Sequence, residues 1–198
     1  MDFQDKSMST QIIEDQTFSK ITAENLAGKN TTYENCKFLS CNFAYADFYT
    51  LIFIDCVFES CNLSLVKLGS VGLQDIRFKD CKLSGADFSK ALDFLFEVNF
   101  DNCILDNAIF YKKKNKGIEF NDCSLLETDF TEADLSDAKF NNCNLGRAFF
   151  DRTILKNADF RSSYNYSIDP DNNMIKKARF STHGLAGLLA KYDIRIEG

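Results

Sequence analysis

The chain has 198 residues, 45% of them hydrophobic, with 20 Phe, no Trp, one Pro, one His and a formal charge of −6. That length and apolar content exclude wholesale disorder and support a buried core without disulfide or metal staples. The single His excludes sites built on several histidines, and the negative charge argues against a direct nucleic-acid binder with a broad basic surface.

The N-terminal residues, MDFQDKSMSTQIIEDQ, lack the basic and apolar regions of a secretory signal. No apolar run is long enough to span a bilayer. A cytoplasmic chain with eight reduced cysteines and no membrane partner is therefore expected. In residues 1–30, Ile12, Ile13, Phe18, Ile21 and Leu26 match the apolar period of residues 31–180 only in part. This segment reads as an N-terminal cap or an irregular first coil.

From Tyr33 a step of five residues meets Phe38, Phe43, Phe48, Phe53, Phe58, Leu63, Leu68, Leu73, Phe78, Leu83 and Phe88. The phase slips by two within ALDFLFEVNF, resumes at Phe100 and continues to Phe160, broken only at Asn115. Two residues before each of these centres lies a second selected position, filled mostly by small or medium apolar residues. All eight cysteines occupy it. A period of five fits neither a helix nor a flat strand. It fits a chain that turns a corner every five residues, with two positions inward and three in solvent. Cys41, Cys61 and Cys81 are spaced by 20, as are Cys103, Cys123 and Cys143, so each coil has four sides. The cysteines then stack along one line, which disfavours both tetrahedral metal ligation and disulfides. They read as core filler.

CNFAYADF, CKLSGADF, TEADLSDAKF and LKNADF follow the pattern A(D/N)LXX, and over residues 31–180 the chain resembles the pentapeptide-repeat family. The resemblance implies an all-β fold, a right-handed quadrilateral β-helix with Phe and Leu stacked inside. In such solenoids each coil contacts only its neighbours, and open ends need caps.

The regular pattern fails around residues 92–98 and 111–117, on the same side of adjacent coils. YKKKNKG, with Lys112, Lys113, Lys114 and Lys116, is expected to bulge from a corner as a candidate partner-contact loop. Past the turn-rich SSYNYSIDPDNN, residues 181–198 form a C-terminal cap. Ser181 or Thr182 is placed to cap a short helix, and Leu185, Leu188 and Leu189 give it one apolar face. Tyr192, Ile194 and Ile196 alternate like a short strand. This end resembles that of Qnr-type quinolone-resistance proteins and MfpA, a resemblance that implies a homodimer through these six residues.

No phosphate-binding, zinc-protease or nucleophile-elbow motif is present, and His183 stands without a phased nucleophile. A non-enzymatic role with no cofactor and no metal is expected, as an interaction rod with an unidentified protein partner. The family resemblance implies an alternative, a DNA mimic that binds DNA gyrase or topoisomerase IV. Asp47, Asp87 and Asp129 would be its candidate acidic face.

Overall fold

The computed structural model describes residues 11–195, and these form a parallel β-solenoid. Ten short strands mark its most regular sides. They are β1 (Gln11–Glu14), β2 (Thr17–Ser19), β3 (Thr31–Glu34), β4 (Lys37–Leu39), β5 (Ile52–Ile54), β6 (Val57–Glu59), β7 (Gly72–Lys79), β8 (Phe96–Asp101), β9 (Glu119–Asn121) and β10 (Lys139–Asn141). All pair in parallel, each with the strand one coil away. Residues 20 apart are partners through most of the stack, as in Tyr33↔Phe53 and Phe38↔Phe58. Residues 33–180 make about seven turns. The N-terminal segment, expected to be irregular, joins the stack in register: β1 pairs with β3 and β2 with β4. Only its third side departs, as a 3₁₀ turn at Ala23–Asn25.

The corners explain the period. The residue two after a centre takes the left-handed conformation, with φ between 50° and 63° at Asn35, Ser40, Tyr45, Thr50 and Asp55 among many others. That conformation costs most L-residues about 1 kcal/mol and suits Asn and Asp best. Asn and Asp accordingly recur there, at Asp75, Asp80, Asn102, Asp122 and Asn142.

The interior is filled by stacked rings. Phe18, Phe38, Phe58, Phe78, Phe100, Phe120, Phe140, Phe160 and Phe180 form one column, with successive centroids 4.6–5.3 Å apart. Phe88, Phe110, Phe130 and Phe150 form a second at 4.7–5.3 Å. All eight cysteines are buried and free. They do more than fill space. The thiols of Cys61, Cys81 and Cys143 donate to the carbonyls of Phe38, Phe58 and Phe120 in the preceding coil, at 3.2–3.3 Å. Thr128, Thr153 and Ser163 make the same bond from the same position, at 2.6–3.0 Å. Burial pushes the Cys56 thiol up to about 12, so it stays protonated near neutrality.

The two-residue slip lies where the sequence places it. Leu73 pairs with Phe96 and Ile76 with Val98, with a register shift between them. The extra residues form a 3₁₀ turn at Asp93–Leu95 that leaves Phe94 79% exposed.

Among the described residues no helix is long and apolar enough to cross a membrane.

Candidate interaction surfaces

Asp47, Asp87 and Asp129 do share one outward column. Bridges run Asp47↔Lys67, Asp87↔Ile109, Ile109↔Asp129 and Asp129↔Phe149, so other residue types interrupt the carboxylates. Each carboxylate is also engaged locally. Asp47 accepts from the Tyr49 amide at 3.0 Å, and Asp87 from the Ser89 amide and hydroxyl at 3.0 and 2.5 Å. Asp129 accepts from the Thr131 amide at 2.8 Å. Asp134 and Asn62 make the same two-residue turn with Ser136 and Ser64. An acid or amide just before a centre is therefore a turn acceptor that organises backbone. The signal for this was in the sequence: a D-x-S or D-x-T spacing at several such corners.

The four lysines do not form a bulge. Residues 111–117 continue the coil, and its geometry sends the four ammonium groups to different places. Lys112 is exposed on a corner, 3.5 Å from Glu132 and over the Tyr111 ring. Tyr111 and Glu132 together hold its pKa above the ordinary lysine value. Lys114 and Lys116 are exposed on the next side, Lys116 3.9 Å from Asp134. Lys113 is the correction. It points inward, is 2% exposed, and donates to the Ala91 carbonyl at 2.5 Å and to the Asp93 carboxylate at 2.7 Å. Its ammonium also lies 4.9 Å from the Phe96 ring centroid. Lys113 holds the exposed Asp93–Leu95 turn from below, so it is not a contact group. The protruding element that the sequence assigned to the lysines is this turn, one coil earlier.

Asn115 is inward too, and its amide donates to the Val98 carbonyl at 2.9 Å.

At the C-terminus Ser181 is the one of the two candidates that caps, accepting from the Gly184 amide at 3.2 Å. The cap is 3₁₀ at Thr182–Leu188 and Ala190–Tyr192. The expected strand is not formed by the described residues. Tyr192 lies in the second 3₁₀ turn and Ile194 in irregular chain, while Ile196 falls outside the described residues. The cap lies on the Tyr166 ring so closely that a Cβ at Gly184 would overlap the Tyr166 hydroxyl. Of the expected dimer residues, Leu188 packs half-buried against the core. Leu185, Leu189, Tyr192 and Ile194 remain exposed. Lys191 ties the cap to Asp169 and Asp171 and lowers the pKa of the Asp169 carboxyl.

Known proteins share this geometry. A family model described as a pentapeptide repeat region matches residues 31–92 and 94–165, and the break falls at the inserted turn. No curated protein matches the chain in sequence. Among solved structures, full-length QnrB1, a plasmid-mediated fluoroquinolone resistance protein, superposes with a TM-score of 0.60 at 16% identity, covering 92% of this chain and 100% of that one. A trypsin-treated point variant of QnrB1 gives 0.63 at 19% identity, covering 96% and 92%. HetL, a pentapeptide repeat protein involved in heterocyst differentiation regulation from the cyanobacterium Nostoc, gives 0.44 at 12% identity, covering 86% and 87%. At these identities the likeness is one of fold.

Proposed function

The chain belongs to the pentapeptide-repeat family, and we propose that it works as a non-enzymatic rod whose outer sides and ends bind protein. The observation that carries this reading is the division of labour between inside and outside. Inward positions are consumed by the stacked core, while large apolar side chains stand outside at Tyr45, Phe94, Phe149 and Met174. Aromatic side chains presented on a rigid scaffold are the usual anchors of protein interfaces. The exposed cap residues Leu185, Leu189, Tyr192 and Ile194 are the proposed self-association surface at the C-terminal end. Affinity capture with Phe94→Ser, Phe149→Ser and Leu189→Asp variants tests the rod. A partner captured by the wild type and lost with one of these supports it. Retention of every captured partner by all three removes these residues as the interface.

A second reading is a DNA mimic directed at a type II topoisomerase, favoured by the rod shape and the negative charge. Asp47, Asp87 and Asp129 are weak phosphate mimics here because each is already bonded to a turn amide. Supercoiling by purified DNA gyrase and topoisomerase IV, with and without a fluoroquinolone, decides it. Inhibition or drug protection supports the second reading, and unchanged activity at excess protein removes it.

A further inference from the structure

On most sides of the solenoid, charges are neutralised within the chain by a partner one coil away. Lys79 meets Glu59, Lys139 meets Glu119, Arg152 meets Glu132, and Arg179 meets Asp159. The side that carries β1, β3 and β5 is built differently. Its outward columns run Ile12, Thr32, Ile52, Gly72 and Glu14, Glu34, Ile54, Gln74 in the N-terminal half. In the C-terminal half one column continues as Lys114, Asp134, Ile154, Met174. Backbone bonds place Lys116, Ser136, Lys156 and Lys176 in the other. The adjoining corner reads Asp15, Asn35, Asp55, Asp75, then Asp137, Asn157, Lys177. The N-terminal half of this side is thus acidic, with Glu14, Asp15, Glu34, Asp55, Asp75 and Glu97. Lys113, on the following coil, is buried and paired with Asp93. The C-terminal half carries Lys114, Lys116, Lys156, Lys176 and Lys177 against two aspartates. Among the described residues, Glu14, Glu34, Lys156, Lys176 and Lys177 make no ion pair within the chain. Glu97 is held above the usual glutamate pKa by burial and by Asp75 beside it.

A side that is acidic in one half and basic in the other complements itself when two copies lie antiparallel. We propose that this side is an interface between two copies of the chain, related by a two-fold axis at the Asp93–Leu95 turn. Stacking the two copies in full overlap sets Glu14 against Lys176, Asp15 against Lys177, Glu34 against Lys156 and Ile12 against Met174. Phe94, the most protruding aromatic, meets its own copy at the axis, as an isologous contact requires. Three contacts are unfavourable: Asp55 faces Asp137, the Asp134 carboxylate faces Ile52, and Glu97 faces its own copy. The side spans about eight coil steps of ~4.8 Å and a width of ~12 Å at ~3.3 Å per residue, so roughly 1,000 Å² is covered in the pair. That is at the lower limit for a specific interface, which makes the charge pattern decisive for partner choice.

The test is a charge exchange. Glu14→Lys with Asp15→Lys and Glu34→Lys sets like charges against Lys176, Lys177 and Lys156 of the other copy, and Lys156→Glu with Lys176→Glu and Lys177→Glu sets like charges against Glu34, Glu14 and Asp15. Each variant alone falls twofold in sedimentation mass relative to the wild type, and an equimolar mixture of the two recovers the wild-type mass. Zero-length carbodiimide coupling of a ¹⁵N/¹⁴N mixture of wild-type chains yields mixed-isotope Glu34–Lys156 peptides. A wild type at single-chain mass, variants that keep the wild-type mass, or a mixture that fails to recover it overturns the proposal. If only Leu189→Asp halves the mass, copies meet at the cap and not along this side.

Discussion

The coils centred on Phe120 and Phe140 and the side at Lys113 and Asn115, which stacks on the junction at residues 91–98, bury equivalent inward positions with opposite chemistry. In the regular coils the inward pairs are apolar or, as at Thr128, carry a hydroxyl bonded to the preceding coil, and the sides are tied to their neighbours by backbone bonds such as Lys139 amide to Ile118 carbonyl and Asp134 amide to Lys113 carbonyl. At the junction the two extra residues interrupt that ladder. β8 and β9 pair only at Phe100↔Phe120 and Asp101↔Asn121. The Glu119 amide turns to the Asn99 side chain at 2.9 Å. Two carbonyls then receive side-chain donors, Ala91 from Lys113 and Val98 from Asn115. Buried carbonyls must be satisfied, so the polar inward residues are the repair of an insertion. A broken core pattern here marks broken backbone pairing one coil earlier.

That contrast can be broken most strongly on its apolar side. Phe120 stacks at 5.3 Å on Phe100 and 5.1 Å on Phe140. Phe120→Ala lowers stability in urea denaturation by about 3–5 kcal/mol. A loss under about 1 kcal/mol would mean the column does not bear on stability. Lys113→Met fits the apolar pattern better yet strands the Ala91 carbonyl, for a loss near the top of about 1–3 kcal/mol. Hydrogen exchange of residues 92–96 accelerates first, because the exposed Asp93 carboxylate and the Ala91 carbonyl lose the ammonium that anchors the turn. Asn115→Leu restores the interrupted Phe/Leu sequence and nevertheless destabilises, at the lower end of about 1–3 kcal/mol, by orphaning the Val98 carbonyl. A stabilised Asn115→Leu protein would refute the repair.

Smaller effects sharpen the comparison at the surface. Arg161 lowers the pKa of Asp159 by its hydrogen bond, with Arg179 adding to it, and Arg152 does the same to Glu132. A carboxyl depressed in the folded state contributes stability above its unfolded value of about 4 and loses it as pH falls through the folded value. Melting temperature therefore drops as pH falls below about 4, and Asp159→Asn flattens part of that drop. Smallest of all is Cys81→Thr, since Thr128 and Thr153 already make the same donor bond. The change stays within about 1 kcal/mol.

The coil and its four sides were legible because one five-residue period outlasts every local propensity, and the stacking of Phe38, Phe58 and Phe78 follows from counting alone. The phase also placed Lys113 inward, but its residue type and its run of neighbouring lysines pointed to a loop. Only the position of the Ala91 carbonyl, set by pairing between coils, resolves the conflict. The acidic column was legible as a column, whereas the bond from Asp129 to the Thr131 amide depends on corner geometry. The cap at Thr182–Leu188 was legible as a short helix with Ser181 or Thr182 at its start. Its 3₁₀ winding and its close approach to Tyr166 are in no local pattern.

The in-register stack of 20-residue coils has one more consequence. Residue 121 and residue 142 are separated by one whole coil, so excision of 122–141 rejoins the chain with its inward phase, its left-handed corners and its ring column intact. The rod is thus a graduated ruler, whose length changes in increments of ~4.8 Å without a change in cross-section. Whatever it spans, it can be refitted to by adding or removing single graduations.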